Sequence, residues 1–104
     1  MIENGDCLLT LVFPPGLEET VIGLLLAHPQ WASRFVCFRA DGHGQAMPLS
    51  GSAELVRGRT PRLIVQLIVV RAEVHQLLAE LRQALASPEV AYWMVELAES
   101  GRLA

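Results

Sequence analysis

Four short segments of this chain carry apolar residues in strand-like patterns, and two carry them at the period of a helix. From 6 to 13, Cys7, Leu9, Leu11 and Phe13 share one side; Leu8 and Val12 share the other, with Thr10 between them. Side chains alternate across a strand, so both faces here are largely apolar, as suits a central strand. Pro14, Pro15 and Gly16 end it. Gly16 is placed to cap a helix whose first turn holds Glu18 and Glu19, where the macrodipole favours acids. Leu17, Val21, Leu24 and Leu25 follow at helical spacing, and His28 then Pro29 close the segment.

Residues 34–40 read as a second strand, with Phe35, Cys37 and Arg39 on one face and Val36 and Phe38 on the other. The stretch 41–52, rich in glycine and holding a proline, a histidine and a methionine, reads as a loop, long for a hairpin. Residues 53–59 fit either a helical turn or the foot of the next strand. Residues 62–70 are β-branched and nearly all apolar, which predicts a central strand. Residues 73–86 form an amphipathic helix with Val74, Leu77, Leu78, Leu81 and Leu85 as its stripe. Ser87, Pro88 and Glu89 make a turn, 90–97 the last strand, and 99–104 a tail.

The order β-α-β-β-α-β predicts one α+β domain over 1–104 with the ferredoxin-like fold. This is a four-stranded antiparallel sheet with two helices on one face. The uncovered face cannot be polar, because Leu8, Val12, Val36, Phe38 and alternate residues of 63–70 must divide between the two sides, and an apolar second face wants a partner. Sheet-to-sheet oligomerisation is the expectation.

Composition narrows the function classes. Apolar residues make up 52% of the 104, which excludes a disordered chain. The formal net charge of −3 argues against a nucleic-acid binder, which needs a basic footprint. All eight basic residues are arginine, so no P-loop or Schiff-base lysine is present. Cys7 and Cys37 stand outside any CxxC motif. The start, 1–6, is polar and unlike a secretory signal, and no apolar run approaches the roughly 20 residues of a membrane span. A cytoplasmic location without direct membrane insertion is expected.

An enzyme is not expected. His28, His43 and His75 are scattered, and Glu18–Glu19, the paired carboxylates, are accounted for by the helix dipole. Two sets of residues could hold a ligand. Cys37, His43 and Met47 combine sulfur and imidazole, donors that suit a soft metal ion such as Cu(I). Their plain alternatives are a buried small hydrophobe, a turn residue and a loop anchor. Arg57, Arg59 and Arg62 place three guanidinium groups within six residues, able to grip phosphate or carboxylate. Their plain alternative is a solvated strand edge paired with Glu54 or a neighbouring subunit. Of Tyr92 and Trp93, one ring should meet the helices and the other the open face or a cleft. Trp31 reads as a packing lid.

Several segments together resemble a known family. They are Pro14–Glu19 after an apolar strand, the Asp41-Gly42-His43-Gly44 turn, Val56-Arg57-Gly58-Arg59, and the ending from Tyr92 to Leu103. The chain is similar, over nearly its whole length, to a small bacterial PII-like family of unknown function whose genes often lie near heavy-metal efflux systems. The resemblance implies a homotrimer akin to PII signalling proteins and CutA proteins, with the loop between the second and third strands as signalling element. It implies small ligands or metals in the clefts between subunits, and a membrane efflux or transport protein as candidate partner. One departure matters: 70–74 has neither glycine nor lysine, so nucleotide binding in the PII manner is not expected. Two readings stay open. One is a regulatory sensor binding a small ligand or metal ion; the other is a soft-metal chaperone or buffer using Cys37, His43 and Met47.

Overall fold

A computed structural model describes residues 6–43 and 60–104. Strand β1 is Asp6–Phe13. A 3-10 turn, Pro15–Leu17, leads into helix α1, Glu18–Ala27. Strands β2, Phe35–Gly42, and β3, Thr60–Val70, come next. Helix α2 is Val74–Ala84 and strand β4 is Ala91–Glu96. The sheet order is β2-β3-β1-β4, and each neighbouring pair is antiparallel. This is the expected α+β, ferredoxin-like arrangement, with the two segments read as central strands, β1 and β3, at its centre.

Register decides which side chains make the core. Leu9 lies opposite Leu67 on β3 and Met94 on β4, and Leu11 opposite Val65 and Tyr92. With Cys7, Phe13, Leu63 and Val69 these side chains point to the helices, where Val21 and Leu25 of α1 and Val74, Leu77, Leu78 and Leu81 of α2 close the core. Fully burying one such side chain stabilises the fold by about 1.5–3 kcal/mol. The stripe read in 73–86 is the face α2 buries. Leu85, at its C-cap, completes the cluster.

Helix α1 starts later than Gly16 predicts. Pro14 and Pro15 fix φ near −65° and remove two donors, so the chain first makes a tight turn, with the Leu17 amide donating to the Pro14 carbonyl at 3.0 Å. Leu17, not Gly16, is the N-cap, and it offers no side-chain hydrogen bond. After its first turn α1 is apolar on more than one side, yet only Val21 and Leu25 are buried, and Leu26 is 66% exposed. At the other end Trp31 packs partly buried against the core and stacks on His28, ring centroids 5.1 Å apart. That is the lid role read from the sequence.

The face opposite the helices is largely apolar, with one polar pair, Thr10 and Gln66, at its centre. One row across it reads Val36, Gln66, Thr10 and Trp93. Gln66 Nε2 donates to Thr10 Oγ1 at 3.4 Å, which satisfies the polar pair locally. Val36, Phe38, Ile68, Val70, Trp93 and Val95 on this face are each between 42% and 57% exposed. Among the described residues no helix is long and apolar enough to cross a membrane.

Candidate functional site

Of the residues singled out for chemistry, His43 and Arg62 lie at the end of the sheet where β2 ends and β3 begins. β2 runs two residues past 40, so Asp41 and Gly42 pair with Pro61 and Thr60 in the ladder and do not open a loop. The glycine-rich sequence masks this, because Asp and Gly are poor strand formers whose place here is set by pairing with β3. His43 follows directly and is exposed.

This extension separates the soft-metal set. Cys37 sits opposite Val65, and six residues of nearly extended chain, at about 3.3 Å each, put His43 about 20 Å away. One ion cannot be held by both within a single chain. Cys37 is exposed, which also corrects its alternative reading as a buried hydrophobe. Its surroundings are tuned nonetheless: partial burial pushes the thiol above its ordinary pKa, the Glu18 carboxylate adds to this, and the Arg39 guanidinium opposes it. Met47 lies outside the described residues. Among the described residues no three His, Cys, Asp or Glu side chains converge in a way that could hold a metal ion.

The arginine set divides similarly. Arg57 and Arg59 lie outside the described residues. Arg62 lies opposite Ala40 and is 2% exposed, not on a solvated edge. Its Nη1 donates to the Pro61 carbonyl at 2.8 Å. A cavity of about 330 Å³ is lined by Arg62 together with Pro15, Arg39, Ala40, Asp41 and Pro61. Beside it Thr60 Oγ1 is buried without a hydrogen-bond partner among the described residues. Arg39 and Asp41 were not singled out in the sequence. They share one face of β2 only because the strand continues to Gly42, and the two-residue spacing becomes a signal once that is known.

The aromatic pair behaves as alternation requires. Tyr92, opposite Leu11, is on the helix side, and Trp93, opposite Thr10, is on the open face. His75 is exposed, and His28 caps α1.

A split βαβ sheet with a cavity of two arginines and an aspartate at one end is the scaffold of a small ferredoxin-like α+β domain. The chain belongs to the DUF3240 family, described as a protein of unknown function, with residues 4–104 matched. It is similar to a DUF3240 family protein from Shewanella baltica OS155, known from a crystal structure. The two have a TM-score of 0.78 at 16% identity, over 98% of this chain and all (100%) of that one. It is also similar to a Bacillus cereus protein related to NIF3, with a TM-score of 0.66 and 16% identity. That match covers 92% of this chain but 26% of the other, so the same fold there is part of a longer chain. At these identities the likeness is one of fold. No curated protein matches the chain.

Proposed function

We propose that this domain is a homotrimeric regulatory sensor of the PII-like kind. A small ligand or metal ion bound in the clefts between subunits changes the state of the segment joining β2 to β3. That state is read by a partner, for which a membrane efflux or transport protein is the candidate. The observation that carries the reading is the open sheet face, where six large apolar side chains on three strands stay about half exposed in one chain. A patch of this kind on a domain of this size marks an interface. The 330 Å³ cavity beside the β2–β3 connection gives the ligand a place next to the segment that would respond. A ligand that prefers one state of that segment supplies the free energy of the switch. The family resemblance supplies the three-fold symmetry and the link to metal efflux.

Light scattering on the purified chain tests the assembly; a monomer mass at micromolar protein would refute it. A thermal-shift panel over nucleotides and soft metal ions tests the sensor role, because a ligand bound only by the folded state raises the unfolding midpoint. The soft-metal buffer reading predicts instead a tight, stoichiometric Cu(I) complex lost in His43→Ala. With Cys37 and His43 about 20 Å apart on one strand, such a site needs ligands from a second subunit or from 44–59.

A further inference from the structure

Six arginines lie among the described residues, and four have an evident employment. Arg71 is paired with Glu96, Arg82 lies over the Tyr92 ring, Arg62 is buried against the Pro61 carbonyl, and Arg39 acts on the Cys37 thiol. The remaining two, Arg34 and Arg102, have no hydrogen bond, ion pair or ring contact among the described residues. Far apart in sequence, they line one and the same cavity, about 200 Å³ in volume.

The fold brings them together. β4 is an edge strand, and the tail that follows it is tied to the start of β1, where the Leu97 amide donates to the Asp6 carbonyl at 3.2 Å. From there the tail crosses the end of the sheet to meet β3 at Ile68 and the residues that precede β2. The cavity walls are Ser33, Arg34, Ile68, Ser100, Gly101 and Arg102. They present two guanidinium groups, two hydroxyls and a glycine backbone, with no carboxylate among them. In a chain of net charge −3, two like charges facing one concavity without a counterion repel each other. A bound oxyanion removes that repulsion and takes the planar, multi-donor hydrogen bonding for which arginine is suited.

We infer that the cleft between the tail and the start of β2 is a binding site for a small oxyanion, a phosphate or carboxylate group, held by Arg34 and Arg102 with Ser33 and Ser100. A second cavity of about 100 Å³ shares Ser33 and Ile68 with it and adds Trp31, Val70 and Val74, with the Glu73 carboxylate and Gln30 at its wall. The uncharged remainder of an organic anion lies there, against the indole. The cleft is formed within one chain, but Ile68 and Val70 also belong to the open sheet face, so the site adjoins the surface that the trimeric reading buries.

Calorimetry on the full chain at low salt, with pyrophosphate and separately with citrate, tests it. The expected result is binding of at least one of them at one per chain, weakened at least tenfold in Arg34→Gln and in Arg102→Gln. The unfolding midpoints of both ligand-free variants should be unchanged. Arg71→Gln, which removes a positive charge outside the cleft, should bind as the parent does. Whether pyrophosphate or citrate binds more tightly tells a phosphate site from a carboxylate one. Binding of neither anion, binding unaltered in both cleft variants, or equal weakening in Arg71→Gln would overturn the assignment.

Discussion

The guanidinium carbon of Arg82 on α2 lies 5.9 Å from the centre of the Tyr92 ring on β4, and Arg82 Nη2 donates to Tyr92 Oη at 3.4 Å. This contact ties the last turns of α2 to an edge strand over a small apolar cavity lined by Leu78, Leu81 and Leu85. β4 has a neighbour on one side only, so a link to the helix layer counts for more there than on a central strand.

Arg82→Ala should therefore destabilise the domain by about 0.5–1 kcal/mol, the range of an exposed cation–π pair. Tyr92→Phe keeps the ring and should cost less than Tyr92→Ala, which loses packing as well. Urea unfolding of the three variants checks the order. Equal stability of Tyr92→Phe and Tyr92→Ala would show that the ring carries nothing.

Leu25 and Leu26 are neighbours on α1 with opposite fates. Leu25 is fully buried against the sheet, whereas Leu26 is 66% exposed. Leu25→Ala should cost about 2–5 kcal/mol, the range for a buried leucine cut to alanine. Leu26→Gln should stay within about 0.5 kcal/mol of the parent, as surface changes do. Thermal unfolding measures both. A large loss in Leu26→Gln would mean that this side of α1 is covered in the assembled protein.

The contrast between these two leucines shows what was legible in the sequence. Helix α2 has one apolar stripe, so its buried face follows from spacing alone; α1 after its first turn is apolar on more than one side, and only its packing into the shared core selects Val21 and Leu25. The central strands were readable because β1 and β3 are apolar on both faces. The continuation of β2 to Gly42 was not, because Asp41 and Gly42 lack strand propensity and are held by Pro61 and Thr60 across the ladder. The candidate site suffered most from this. Its soft-metal set needs Cys37 and His43 close together, and the chain between them is extended through Gly42. Arg34 and Arg102 could not be associated by any spacing rule, since a tail crossing the sheet end joins them.

The open face offers a direct test of assembly. Phe38 lies on the β2 edge and Trp93 on the β4 edge of the same face, 44% and 50% exposed. Phe38→Glu and Trp93→Glu place a carboxylate where the trimer would bury it, at a cost of several kcal/mol per unpaired charge. Both variants should keep the far-ultraviolet circular dichroism of the parent, because neither residue belongs to the helix-side core, and both should run as monomers in light scattering. Folded trimers from both variants would move the interface off this face.

Cys37 provides a pH-dependent readout. Partial burial, then Glu18, hold its thiol above the ordinary range, against the pull of Arg39. A raised pKa means less thiolate at any given pH, hence slower alkylation than a free cysteine, since the thiolate is the reactive form. Cys7 is buried and should stay protected in the native state. The rate of iodoacetamide labelling followed against pH should give a midpoint above that of a cysteine peptide. Glu18→Gln should lower that midpoint, and Arg39→Gln should raise it. The same shift sets the sign of a stability effect. Between the unfolded and the folded pKa the native chain keeps a proton that the unfolded chain releases, so stability falls as pH rises through that alkaline interval. Below the unfolded pKa the contribution is complete. Cys37→Ser should flatten this part of the stability profile. A labelling midpoint at or below that of the peptide would show that neither burial nor Glu18 acts on the thiol in solution.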